Sequence, residues 1–142
     1  MILEIPNPNH PYGVRGVGCT LSKEQVEYAV DLVKRQGLSK EISIVFEDYR
    51  KIEGTFDKFV SVGMFEHVGK QFIPTFMEKV KSILNPGGIG LLHTIGQELP
   101  VPGDPWTLKY IFPGGYIPTL DEIVRTMCEA KLIPTDIENL RL

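Results

Sequence analysis

The chain has 142 residues, 15 Lys and Arg against 18 Asp and Glu, and a formal net charge of −3. That length suits one domain, able to bury about two thirds of its unfolded surface, and a hydrophobic content of 42% excludes wholesale disorder. The near-balanced charge argues against a binder of nucleic acid by general phosphate attraction, and no apolar run approaches the ~20 residues that span a bilayer.

Ile2-Leu3-Glu4-Ile5 is a short apolar run closed by Pro6, and Asn7 to Pro11 is turn-rich, with His10 in a loop. Val14 to Thr20 reads as a second strand, and Ser22 opens a helix with Gln25 at capping-box spacing. Val26, Ala29, Val30 and Val33 form one apolar stripe along it, and Gly37 ends it as a C′ residue. Ile42 to Phe46 and Phe56 to Val62 are strands. A second helix covers Gln71 to Leu84, with Phe72, Ile73, Phe76, Met77, Val80, Ile83 and Leu84 on its buried face. Asn85-Pro86-Gly87-Gly88 stops it before a strand over Ile89 to Ile95. A Pro/Gly/aromatic stretch follows from Pro100 to Pro118, and Thr119 with Glu122 caps a third helix through Ala130.

Strands and helices in alternation predict an α/β domain with a doubly wound, mainly parallel, Rossmann-like sheet. The chain reads as a single domain: an atypical segment over residues 1–12, a core over 13–96, a loop over 97–118, and a helix with tail over 119–142. Ligands of such sheets sit at the carboxyl ends of strands. Thr20-Leu21-Ser22, Gly63 to His67 and His93 to Gly96 fall there. Cys19 and Cys128 lie far apart in the sequence and read as packing residues of a reduced, cytoplasmic protein. The N-terminus has no basic region followed by an apolar one, so no secretory signal is expected.

Five segments in order carry a resemblance. They are Val17 to Gln25, Glu47-Asp48-Tyr49-Arg50, Val60 to Gly69, Leu91 to Gly96, and Asp104-Pro105-Trp106 with Lys109 to Gly115. Together they resemble the cyclopropane-fatty-acyl-phospholipid synthase family of S-adenosylmethionine-dependent methyltransferases. The resemblance implies the class I methyltransferase fold and transfer of a methylene to the cis double bond of a phospholipid acyl chain, with bicarbonate as base. It implies that Glu66 and His93 hold the bicarbonate, with Ile95 contributing backbone. Thr20 and Gln25 then match positions near the cofactor ribose, and Asp48 and Tyr49 positions near the adenine. Phe65, Trp106, Tyr110 and Phe112 are candidates to line an acyl channel.

On the residues alone, Glu66-His67 is a solvated loop pair and His93 a hydrogen-bonded core histidine. The matching blocks around them reverse that preference. His67 caps its loop, Gln25 is explained by capping without a ligand, and Trp106 and Tyr110 fit ordinary core equally well. A metal hydrolase using Glu66, His67 and His93 lacks any recognised ligand spacing, so no metal is expected.

The first run departs from the family, which places a Gly-rich cofactor cradle and a helix after its first strand. Only Pro6 to Gly13 separate the first two runs here, too few for a parallel crossover. The first run therefore pairs elsewhere, belongs to a partner's sheet, or is not a strand. The chain reads as a truncated or internally deleted member. An uncovered sheet face predicts a homodimer, and any membrane contact would be peripheral. Two readings follow: the lipid-modifying enzyme, or a non-catalytic, self-associating Rossmann-like remnant.

Overall fold

The computed structural model describes residues 14–140 and, as backbone only, residues 2–6. His10 and the turn around it lie outside the described residues. The chain divides into two compact units, one drawn from Met1–Val62 with Ser82–His93, the other from Gly63–Lys81 with Thr94–Leu142.

The first unit is a five-stranded sheet. Its strands are β1 (Ile2–Pro6), β2 (Val14–Thr20), β3 (Ile42–Phe46), β4 (Phe56–Val62) and β5 (Leu84–His93), in the order β3-β2-β1-β4-β5. Strand β2 runs parallel to β3, and β4 parallel to β5. Central β1 opposes both its neighbours, so four strands share one direction and one runs against them. This resolves the short connection. An antiparallel neighbour is reached by a hairpin-length link, whereas a parallel one needs a crossover of a dozen or more residues. Pro6 pairs with Val14, so β1 ends beside the start of β2, at the edge opposite Thr20.

The order reverses at the middle of the sheet, as in doubly wound α/β proteins. Helix α1 (Lys23–Arg35) packs on β2 and β3, with Val26, Ala29, Val30 and Val33 half-buried. Gly37 closes it at φ +71°, where the Leu38 N–H reaches the Val33 carbonyl and the Gly37 N–H that of Lys34. Strand β4 carries the buried Phe56, Phe59 and Ser61. Phe46, Val62, Ile89 and Leu91 stand exposed on the sheet.

Strand β5 starts five residues earlier than the apolar run suggests. Leu84 pairs with Phe56 and Ile89 with Lys58, so a bulge absorbs the Pro-Gly-Gly segment within the strand. The Asn85 amide helps hold it, donating to Asp57 Oδ1 at 3.0 Å. The strand stops at His93, not Ile95, and the Ile95 N–H, within the second unit, bonds a carboxylate of that same unit.

In the second unit a 3-10 turn over Lys70–Phe72 leads into α2 (Ile73–Ile83). Ile73, Phe76, Met77 and Val80 are buried at helical spacing, each contributing about 1.5–3 kcal/mol. Phe72, expected on that face, is exposed because it belongs to the preceding turn. The Pro/Gly/aromatic stretch contains an unpredicted short helix, α3 (Pro105–Tyr110), capped by Asp104, whose carboxylate accepts the Thr107 N–H at 2.9 Å. The third predicted helix is α4 (Leu120–Glu129).

Candidate functional site

Thr20 and Gln25, matched separately in sequence, touch. The Thr20 hydroxyl donates to Gln25 Oε1 at 2.6 Å and accepts the Ser22 N–H at 3.2 Å. Ser22 caps α1 by accepting the Gln25 N–H, but the Gln25 side chain turns to Thr20 instead of completing a capping box. Thr20 pairs in register with Phe46, so the ends of β2 and β3 are adjacent. Just beyond β3, Asp48 opens a 3-10 turn over Tyr49–Lys51. Its carboxylate accepts the Arg50 N–H at 2.9 Å and the Arg50 guanidinium at 2.6–3.1 Å. The bound guanidinium lowers the Asp48 pKa, whereas burial raises the phenol pKa of Tyr49.

His93 closes β5, paired with Val62, and is exposed. It is therefore not the core histidine that an apolar strand suggests.

The second unit holds Glu66 in a 3-10 turn over Phe65–His67. Only 1% of the residue is exposed. Its Oε1 accepts the Ile95 N–H at 2.7 Å, while its equally buried Oε2 accepts no hydrogen bond among the described residues. A buried acceptor of this kind suits a ligand that brings a proton to share. The Ile95 side chain is exposed, so Ile95 reaches Glu66 through its backbone alone.

The Glu66 carbonyl is also engaged, accepting the Tyr116 N–H at 2.9 Å. A Cβ on Gly115 would run into that carbonyl and approach Phe112 Cβ to 2.7 Å. A Cβ on Gly69 would lie 2.9 Å from the Gly114 carbonyl. The Phe112-Pro113-Gly114-Gly115 segment thus packs backbone to backbone against the turn that carries Glu66. His67 sits edge-on to Phe112, with ring centroids 4.9 Å apart.

A second carboxylate, Glu122 at the start of α4, was seen in the sequence only as a capping residue. Its Oε2 accepts the Thr119 N–H at 3.0 Å and the Tyr116 hydroxyl at 2.7 Å, and its Oε1 meets Lys70 Nζ at 2.8 Å. The Lys70 ammonium also lies 4.8 Å from the Tyr116 ring centroid. Burial alone would raise the Glu122 pKa. The Lys70 ammonium, the Thr119 N–H and the Tyr116 hydroxyl outweigh it and hold the group at about 2.

Of the proposed channel residues, Phe65 is core, edge-on to Phe76 at 4.9 Å between centroids. Trp106 and Tyr110 meet at a tilt, with ring centroids 5.7 Å apart, and are more than half exposed, which removes their core reading. Cys19 is buried as expected, but Cys128 is exposed because its position on α4 faces outward. Among the described residues no group of three or more His, Cys, Asp or Glu side chains is placed to hold a metal ion. No described helix is long and apolar enough to cross a membrane.

The family model for mycolic acid cyclopropane synthetase matches residues 7–142. The chain belongs to this family. It is 43% identical over 116 residues to the cyclopropane-fatty-acyl-phospholipid synthase of Escherichia coli (strain K12), which covers 81% of the chain and 29% of that protein. A probable fatty acid methyltransferase of Pseudomonas putida is 37% identical over 139 residues, covering 92% of the chain and 35% of the relative. The chain thus spans about a third of the length of these curated relatives. In structure it is similar to the cyclopropane synthase MmaA2 of Mycobacterium tuberculosis, with a TM-score of 0.72, 26% identity, and 80% and 45% of the two chains covered. CmaA1, a mycolic acid cyclopropane synthase, is 23% identical at a TM-score of 0.67 over the same shares. The synthetase family, and with it the α/β methyltransferase type of fold read from the sequence, is thereby shown.

Proposed function

We propose that this chain carries catalytic machinery of an S-adenosylmethionine-dependent transferase that adds a methylene to the cis double bond of phospholipid acyl chains. The observation that carries the reading is the buried Glu66 carboxylate, pinned through one oxygen and open at the other. Such a group can accept a hydrogen bond from the O–H of a bicarbonate ion and hold that ion oriented to take a proton from the substrate. His93 and Ile95 take the partner roles by residue-for-residue resemblance. In this structure the Ile95 N–H is spent on fixing Glu66 itself. The named activities of the Escherichia coli and Pseudomonas putida relatives support a lipid substrate.

The residues fit the adenosine half of the cofactor. Thr20 and Gln25 present a hydroxyl and an amide together, as a ribose diol requires, and Asp48 with Tyr49 lies beyond the neighbouring strand end. When bound, S-adenosylmethionine supplies an electrophilic methyl group. The chain's own residues hold the nucleoside and orient the Glu66 carboxylate through the Ile95 N–H. A cytoplasmic protein that meets lipid peripherally, and pairs with a second copy over the exposed sheet residues Ile89 and Leu91, belongs to the same reading.

Strand β1 favours a second reading. It runs against its neighbours, and its last residue, Pro6, pairs with Val14 at the edge opposite Thr20, whereas the strands that carry Thr20 and Phe46 end at the other edge. A non-catalytic, self-associating module would have this property. Calorimetric titration with S-adenosylmethionine separates the two. Micromolar binding, weakened about tenfold or more by Asp48→Ala, supports the enzyme. No heat up to millimolar cofactor overturns it in favour of the module.

A further inference from the structure

Glu66 is held by two segments remote from it in sequence, the Ile95 N–H and the Tyr116 N–H. Both segments lead to one place. Tyr116 gives its hydroxyl to Glu122, and the Ile95 segment continues to Gln97, whose N–H bonds the Pro118 carbonyl at 3.0 Å and which bridges Thr119. Thr119 in turn gives its N–H to Glu122. The circuit closes through Lys70, four residues after Glu66, which pairs with the same Glu122 carboxylate. Gly69 and Gly115 leave no slack along the way, since each backbone lies where a Cβ would collide.

We propose that Glu122 is a positioning residue for Glu66, and that Lys70, Glu122 and Tyr116 form a clasp fixing where the Glu66 carboxylate points. The clasp assigns a purpose to the Gly-Gly-Tyr segment and to Lys70, which the methyl-transfer reading leaves without one. Glu122 touches no reacting atom in this scheme. It acts through Tyr116 on the Glu66 backbone and through Thr119 and Gln97 on the segment that carries the Ile95 N–H. Cutting the clasp therefore loosens Glu66 without unfolding the core, because Phe65, Phe76 and Met77 are buried independently of it.

The proposal rests on the methyl-transfer reading only for its kinetic consequence. Amide hydrogen exchange followed by NMR tests the clasp itself. In Glu122→Gln and Lys70→Met, exchange of the Ile95 and Tyr116 amides rises about tenfold while the strands β2 to β4 keep their protection. Lys70→Arg restores the protection. Thr126→Ala, which removes bonds of the Thr126 hydroxyl to the Glu122 and Ile123 carbonyls in the same helix, leaves both amides unchanged. Should Glu122→Gln fail to fold, Tyr116→Phe removes one hydroxyl and is expected to raise the same two amides. Unchanged Ile95 and Tyr116 exchange in folded variants overturns the clasp, as does an equal rise at every amide. In turnover, the clasp variants lower kcat with KM for S-adenosylmethionine unchanged, and a rise in KM with kcat unchanged overturns the proposal. If the wild-type chain turns nothing over, the functional reading fails while the exchange result still decides the clasp.

Discussion

Asp48 in the first unit and Glu66 and Glu122 in the second all accept hydrogen bonds, but from different distances along the chain. Asp48 is satisfied by Arg50, two residues on, in a half-open turn. Glu66 is pinned at one oxygen by Ile95, and Glu122 reaches back to Lys70, while both carboxylates are buried. A local pair survives any rearrangement of the fold and is screened by water, so it adds little stability. A buried long-range pair exists only in the folded chain, and breaking it strands a polar group away from water. In the second unit the bonds that aim the carboxylate are thus long-range ones, each adding to stability, whereas in the first the Asp48 bonds are local.

The largest effect that sharpens this contrast is expected at Gly115. Gly115→Ala drives a methyl group into the Glu66 carbonyl and should cost on the order of 2–4 kcal/mol, read as a lower urea midpoint. A midpoint matching wild type would mean the two segments are not packed as described.

Acid is the next lever. The Glu122 pKa is depressed, so its stabilisation is fully present above its ordinary carboxylate range near 4.5 and is lost as pH falls toward about 2. The loss should be on the order of 2–3 kcal/mol, and Glu122→Gln should flatten that part of the stability–pH curve. Identical acid curves for variant and wild type would remove Glu122 from the account.

The smallest effect is expected at Asp48→Asn, less than about 1 kcal/mol in thermal melting at neutral pH, because Arg50 stays half exposed beside it. A loss as large as that from Gly115→Ala would break the contrast between the units.

The same distinction explains what could be read from the sequence. Strands β2, β3 and β4, the Ser22 cap, the Gly37 stop and the start of α4 depend on near neighbours, and spacing alone places them. Helix α3 carried a readable signal too, an Asp cap followed by Pro at the first helical position. The direction of β1 was open because an apolar run does not state its partners. The bulge in β5 was hidden because Asn-Pro-Gly-Gly is ordinarily a turn signal. At the site, Glu66 and Ile95 were reached only through resemblance, since nothing in an isolated Phe-Glu-His segment indicates burial. Lys70 and Tyr116 went unseen because their bonds to Glu122 are made across the fold, where no spacing rule applies.

The most direct test of the account is incorporation of label from methyl-labelled S-adenosylmethionine into vesicles of cis-unsaturated phospholipid, with bicarbonate, by the wild-type chain and by Glu66→Gln. Labelled lipid from wild type, reduced about 100-fold or more in the variant while its cofactor binding is kept, is the predicted result. Absence of label from wild type, or equal labelling by both, would contradict the role assigned to Glu66.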